Sequence, residues 1–277
     1  MKTLFVSDLD GTLLQPDAML SRNTINLLNE SVTEGKLFSI ATARTPATVV
    51  PILKEVDLRL PAIVITGAAM FDLKTGHYSH IQRMREEVSR KLVDIYRDSH
   101  TSTYMFTLGD DDLINIYHLC GRLTPIQQLF YEQRINSPYK KFHLSDDGSD
   151  TLPPTFDNTI LFYTMLPDAK ARSAYEMVKH LEGVKAQYYH DIYGEEIGIL
   201  EAFAAGATKA NAVRRLAGQT GADRIVCFGD NVNDLPMMEV ADVAVAVENA
   251  LPEVKEAADI IIGPNTSDSV ARFIADF

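Results

Sequence analysis

The sequence predicts an α/β protein: a core built on one parallel sheet with helices on both faces, interrupted by an inserted α+β module. Three observations lead there. Short apolar runs alternate with helix-spaced apolar patterns at both ends of the 277-residue chain, and strands alternating with helices form a parallel sheet covered on each face. The middle third instead sets strand-like runs next to one another, separated by turn-forming acidic and glycine residues. The composition, 46% apolar and 23% charged, is that of a globular chain rather than a disordered one.

The elements follow in order. Thr3–Ser7 is a short apolar run ending in acidic and glycine residues, as a buried parallel strand does. Ser21 is placed to cap a helix bearing Ile25, Leu28 and Val32, with Gly35 as its stop. Residues 37–41 form a second strand, and Pro51 either interrupts the helix after it or marks a late start. Residues 62–66 form a third strand, and 70–73 with 77–81 flank Lys74-Thr-Gly76 as a hairpin. In the middle, helices are expected near 88–95, 124–134 and 167–182, and strands at 101–107, 113–119, 159–166 and 185–193. From Glu195 the alternation returns, with strands at 197–203, 224–228, 243–247 and 259–263 and helices at 208–216, 235–240, 252–258 and 269–277. The expected core is therefore 1–81 with 192–277, and the insert 82–191. No internal repeat is evident.

Lys and Arg number 26 against 38 Asp and Glu, a formal charge of −12. That argues against nucleic acid or an anionic membrane as the main partner, because sequence-blind phosphate binding needs basic stripes. Asp8 and Asp10 break the N-terminal apolar stretch, so it is no signal peptide, and no span of 18 apolar residues occurs. Cys120 and Cys227 are far apart with no Cys-x-x-Cys, which supports neither a disulfide framework nor structural zinc. A cytoplasmic location is the expectation.

In a parallel sheet, ligands bind beyond the carboxyl ends of the strands. The first strand delivers Asp8-Leu-Asp10-Gly-Thr12, the second Thr42-Ala-Arg44, a later helix start Thr208-Lys209, and another strand Gly229-Asp230-Asn-Val-Asn233-Asp234. Singly each is weak: Asp-x-Asp-Gly is an ordinary turn, Thr42 a helix cap, Lys209 a solvated surface lysine. An EF-hand reading of the last segment fails, since Val232 offers no oxygen ligand. The clusters Asp110–Asp112 and Asp146–Asp150 read as solvated turns. Together the strand-end segments fit one reaction. Massed carboxylates repel and call for a hard cation, and a few carboxylates with water and substrate phosphate is the magnesium pattern. An ionised Asp can attack phosphorus, and a second can protonate the leaving oxygen and then activate water.

Asp8-Leu-Asp-Gly-Thr12, Ile40-Ala-Thr-Ala-Arg44, Thr208-Lys209-Ala-Asn-Ala-Val213 and Phe228-Gly-Asp-Asn-Val-Asn-Asp234, in this order and spacing, resemble the haloacid dehalogenase superfamily of phosphohydrolases, in particular its Cof-like subfamily. Val247-Glu-Asn-Ala250 and the segment 253–259 are similar as well. The resemblance implies a Rossmann-like catalytic core and an α/β cap that sets substrate specificity. It implies Asp8 as nucleophile and Asp10 as general acid/base. Mg2+ would be held by Asp8, the Asp10 backbone carbonyl and Asp230. Phosphate would meet the backbone at Leu9, Thr42 with the amide of Ala43, Lys209 and Asn233, with Asp234 supporting the metal's waters or Lys209. The 32 residues from Asp10 to Thr42 are too few for a cap, whereas the 167 from Thr42 to Lys209 hold one.

Three departures stand out. Ala43 replaces the usual glycine of the second motif. If that position needs a positive φ, alanine costs about 1 kcal/mol; if the glycine only gives phosphate room, alanine is tolerable. Ala210 also replaces a usual glycine, and Thr66-Gly-Ala68 stands where Asn-Gly-Ala is usual. The expected activity is Mg2+-dependent hydrolysis of small phosphorylated metabolites: sugar phosphates, or cofactor phosphates such as flavin mononucleotide or pyridoxal phosphate. A sugar phosphomutase and a phosphometabolite-binding regulator without turnover are the alternatives. Tyr104, Tyr117, His118, Tyr139 and Tyr188–His190 are polar-aromatic candidates on the insert for contacting the leaving group, with packing or a surface position the favoured reading of each. The oligomeric state is unreadable.

Overall fold

The computed structural model describes residues 1–191 and 194–277. The chain divides into two units, Met1–His80 with Thr208–Phe277, and Ile81–Ala207. The first unit begins with β1 (Thr3–Ser7), α1 (Arg22–Thr33), β2 (Leu37–Ile40), α2 (Pro46–Leu53), β3 (Ala62–Val64), β4 (Ala69–Phe71) and β5 (Tyr78–Ser79). The second unit holds α3 (Glu86–Asp98), β6 (Thr103–Leu108), β7 (Ile114–Leu119), α4 (Pro125–Glu132), β8 (Lys140–His143), β9 (Thr159–Pro167), α5 (Asp168–Val178), β10 (Val184–Asp191) and β11 (Gly194–Ala204). The first unit resumes with α6 (Lys209–Thr220), β12 (Arg224–Gly229), α7 (Leu235–Met238), β13 (Val243–Val247), α8 (Pro252–Ala257), β14 (Ile260–Ile262) and α9 (Ser269–Asp276).

Its main sheet is parallel, in the order β14-β13-β12-β1-β2. The chain winds one way from β1 to β2 and the other way from β12 to β14, so β1 and β12 flank the switch point where ligands bind in such sheets. β3 joins the end of β2 by one parallel bridge, Ala41 to Ile63, and opens the antiparallel trio β3-β4-β5. α1 begins where Ser21 accepts the Thr24 N–H at 2.9 Å and buries Ile25, Leu28 and Val32. Pro51 lies inside α2, whose Val49 and Leu53 are nonetheless fully buried, so packing outweighs one missing N–H. Lys36 Nζ donates to the carbonyls of Ile274 (2.8 Å) and Ala275 (2.6 Å), closing the carboxyl end of α9.

The second unit is a six-stranded sheet, β10-β11-β9-β6-β7-β8, antiparallel except for β7 and β8. One face (Met105, Leu119, Phe162, Leu200) packs on Val88, Leu92 and Tyr96 of α3 and on Ala174 and Val178 of α5. Here the structure corrects the expected boundary. The strand expected at 197–203 belongs to the insert, because β11 pairs with β9 and β10, and the chain returns to the core at Thr208 rather than at residue 192. Strand periodicity reports which residues share a face and is silent on which sheet the strand joins. Tyr193, in the strand expected at 185–193, lies outside the described residues. β8 is an addition to the expected strands, and its Lys140 and Lys141 are of a residue type that ordinarily faces solvent.

Lys140 is instead 8% exposed, with Nζ 5.6 Å from the Phe130 ring centre and 5.8 Å from that of Phe106. Burial, helped by the Arg134 guanidinium, pulls its amine from 10.5 down to about 7. Between those values the unfolded chain binds the extra proton, so stability rises with pH across that window and the whole cost is present below it. Lys140→Met is expected to raise Tm by several degrees at pH 6 and to change it little near pH 10. Equal shifts at both pH values in calorimetry would contradict this. Among the described residues, no helix is long and apolar enough to cross a membrane.

Candidate active site

The chain leaves β1 in a single tight excursion. Asp8 donates its N–H to Phe228 O at 3.0 Å, which ties the end of β1 to β12. Leu9–Leu13 then form one wide turn, closed by the Leu14 N–H on Leu9 O at 2.8 Å. Within it Asp10 (φ −74°, ψ 121°) and Gly11 (φ 78°, ψ −11°) have the angles of a type II turn, which demands glycine second. Space demands it too, since a Cβ on Gly11 would lie 2.3 Å from Asp230 Oδ2. Asn249 Nδ2 donates to Gly11 O at 2.7 Å, so the Val247–Ala250 segment steadies the turn.

This turn brings together residues far apart in sequence. Lys209, first residue of α6, is 2% exposed, and its Nζ donates to Asp8 Oδ1 at 2.5 Å and to Asp234 Oδ1 at 2.7 Å. Asp234 Oδ2 accepts the N–H groups of Asp230 (3.1 Å) and Asn231 (3.2 Å). Thr12 Oγ1 donates to Asp230 Oδ1 at 2.7 Å. Asp8, Asp230 and Asp234 each offer a carboxylate oxygen within 4.8 Å of the others.

The charges in this cluster do not balance: three carboxylates face one ammonium. Burial and the Asp234 carboxylate push the Asp8 carboxyl up to about 8 against the pull of Lys209. Burial, then repulsion from Asp234, pushes Asp230 up to about 6 against the Thr12 hydrogen bond. Burial pulls the Lys209 ammonium down, but Asp8 and Asp234 outweigh it and its pKa is raised. Lys209 therefore keeps its proton, and the excess negative charge falls on Asp8 and Asp230. A divalent, oxygen-seeking cation would balance that excess, so the donor set fits Mg2+. Asp8 and Asp230 are the better donors, because both Asp234 oxygens are already engaged.

The second motif closes another side. Thr42, 1% exposed, donates its N–H to Ile63 O at 3.0 Å, and its Oγ1 accepts the Arg44 N–H at 3.1 Å. Among the described residues, no acceptor takes the Ala43 N–H. Ala43 has no positive φ, so alanine costs no backbone strain at this position. The left-handed backbone lies instead at Ile65 (φ 53°) and Thr66 (φ 55°). The Arg44 guanidinium grips Asp10 with two bonds, Nε to Oδ2 at 2.8 Å and Nη2 to Oδ1 at 2.5 Å.

Asp8, Lys209, Asp230 and Asp234 thus share one cluster. The Asp10 carboxylate lies outside it, half-exposed on Arg44, and Leu9 is buried. Asn233, expected on phosphate, is exposed and makes no hydrogen bond to the cluster. Thr12 and Arg44 stand in the quoted motifs, yet their partners are invisible in sequence. On the insert, Tyr104, Tyr117 and His118 are packing residues, the reading favoured for each. Tyr104 donates to Gln127 O at 2.8 Å, Tyr117 stacks on His143 at 4.6 Å, and His118 Nε2 meets Ser102 Oγ at 2.9 Å. Tyr139 is half-buried, Tyr188 donates to Asp168, and Tyr189 and His190 are exposed. Asp150 is no solvated turn residue either, since it accepts the Cys120 N–H and the Arg97 Nε–H, both at 2.7 Å.

The family model of the haloacid dehalogenase-like hydrolases matches residues 5–274. The chain is similar to the pyridoxal phosphate phosphatase YbhA of Escherichia coli K12, 26% identical over 272 residues that cover 96% of this chain and 95% of that protein. It is similar to the 5-amino-6-(5-phospho-D-ribitylamino)uracil phosphatase YitU of Bacillus subtilis, 24% identical over 287 residues that cover 99% of this chain and 97% of that one. Among solved structures, a haloacid dehalogenase-like hydrolase from Bacteroides thetaiotaomicron superposes with a TM-score of 0.76 at 23% identity, covering 100% of this chain and 99% of that one.

Proposed function

The chain belongs to the haloacid dehalogenase-like hydrolases, and from that premise we propose that it is a Mg2+-dependent phosphomonoesterase working through an aspartyl phosphate on Asp8. One observation carries the reading: a buried Asp8 paired with Lys209 beside Asp230 and Asp234, at the switch point of a parallel sheet. The Asp8 carboxylate attacks phosphorus while Lys209 holds its orientation and offers positive charge to the transferring oxygens. The Thr42 hydroxyl and the Ala43 N–H are donors suited to the same oxygens. Asp10, oriented by Arg44, gives its proton to the leaving oxygen and then takes one from the water that opens the aspartyl phosphate. Mg2+, held by Asp8, Asp230 and the Asp10 carbonyl, would supply the positive charge that lets an ionised Asp8 approach an anionic ester.

The substrates proposed are small phosphorylated metabolites. Two relatives are named for phosphate esters of heterocyclic molecules, which favours cofactor phosphates first and sugar phosphates second. The leaving group would be read by the insert acting as a cap. Phosphate release from pyridoxal phosphate, flavin mononucleotide and several hexose phosphates tests this. Turnover of at least one of them with Mg2+, falling about 100-fold or more on chelation, is expected. A panel that stays silent with Mg2+ present overturns the proposal, and full activity in chelator overturns the metal assignment.

A further inference from the structure

Three consecutive residues, Ile65, Thr66 and Gly67, have φ of 53°, 55° and 91°. For β-branched side chains this region is a true outlier, and such strain persists only where surrounding contacts enforce it. The contacts are explicit. On one side the Ile65 N–H donates to Arg44 O and the Thr66 N–H to Thr42 O, both at 3.0 Å. On the other, Gly67 abuts the start of α6 so closely that a Cβ there would lie 2.3 Å from Thr208 O and 2.8 Å from Lys209 N. All three residues are buried. The obstacle is backbone, which cannot rotate aside as a flexible side chain would.

We infer that Ile65-Thr66-Gly67 is a positioning clamp, whose strained backbone sets the distance between the Thr42–Arg44 turn and the helix start carrying Lys209. The two segments it joins hold different parts of the reaction. Arg44 orients Asp10, and Lys209 orients Asp8. The strain is the consequence of spanning two fixed neighbours with three residues. Among the described residues the clamp makes no hydrogen bond to Asp8 or Asp10, and its function lies in the registration of the groups that orient them. This inference rests on the phosphomonoesterase reading above for its kinetic consequence, though not for its geometry.

Gly67→Ala tests it, with Gly35→Ala as the matched control. Gly35 has a similar φ of 94°, but a Cβ there would meet nothing within 4 Å. Both variants pay for a left-handed alanine, so both should melt lower. Only Gly67→Ala should lose kcat, by about 100-fold, with KM within threefold, because the misplacement acts on groups of the reaction rather than on binding. A folded Gly67→Ala with kcat within threefold of Gly35→Ala overturns the clamp. Hydrogen exchange on the unmodified protein decides the matter should Gly67→Ala not fold. The Ile65 and Thr66 amides should be protected to the degree of the Asp8 amide in the sheet, and exchange at exposed-loop rates overturns the inference. An unmodified protein without phosphatase activity would instead refute the function, leaving the exchange result to judge the clamp.

Discussion

Asp8→Asn should lose phosphate release by about 10⁴-fold or more, and in a chelating buffer the variant should melt higher than the unmodified chain. The loss follows from removing the attacking oxygen while leaving its surroundings in place. The gain follows from the cluster's charge imbalance. Burial and Asp234 raise the folded carboxyl from 3.8 to about 8, so the folded state binds that proton more tightly than the unfolded chain. Its stability contribution is present below the unfolded value and is lost as pH rises through about 8. Asparagine escapes that loss, and Lys209 keeps Asp234 as its partner at 2.7 Å. The Tm advantage should therefore be larger at pH 8.5 than at pH 5. Calorimetry at both pH values with EDTA, alongside a phosphate assay, reads the two effects separately. A variant less stable at pH 8.5 than the unmodified chain would mean that the Asp8–Lys209 attraction outweighs the repulsion, contrary to the charge count.

Lys209→Met should have the opposite signature, losing activity and stability together. It leaves three neighbouring carboxylates with no ammonium, and stripping one partner from a buried pair costs about 3–5 kcal/mol. For a chain of this size that is a Tm drop of roughly 10 °C. kcat should fall by about 10²–10³ as charge stabilisation of the transferring group is lost. Mg2+ should recover part of the Tm, because a dication replaces some of the missing charge, and acidification to pH 5 should do so by protonating carboxylates. Lys209→Arg should not rescue kcat, because the planar guanidinium needs more room than a side chain 1% exposed possesses. Thermal scans with and without Mg2+ test this, and an unchanged Tm in chelator would show that the cluster does not depend on the ammonium.

Much of this site was legible in the residues, and the reasons differ from one to the next. Asp8 and Asp230 follow short apolar runs that read as buried strands, and parallel-sheet topology places such ends at one edge. Lys209 was readable only in company, since a lone lysine after Thr208 looks like any solvated helix residue. Asn233 is harder to read for the converse reason. It sits in the same short segment as Asp234, but in the 3-10 turn after β12 the side chains of neighbouring residues diverge, one buried and one exposed. On the insert, Tyr104 and His118 stay ambiguous in the sequence, with packing favoured, because polar rings suit both a site and a core. Only their partners, Gln127 O and Ser102 Oγ, decide between the two.

From the sequence alone came the parallel core, the interruption by a second module, the acidic edge and the expectation of a phosphate ester balanced by a dication rather than by the global charge of −12. Those follow from periodicity and residue chemistry, which are local properties. Tertiary structure alone decided that β11 belongs to the insert, that Arg44 holds Asp10, that Ala43 is unstrained, and that strain resides at Ile65 and Thr66 instead. Each of these is a relation between segments distant along the chain. Strand pairing, ion pairing and backbone strain arise only where two such segments are forced to meet, and no local pattern records the meeting.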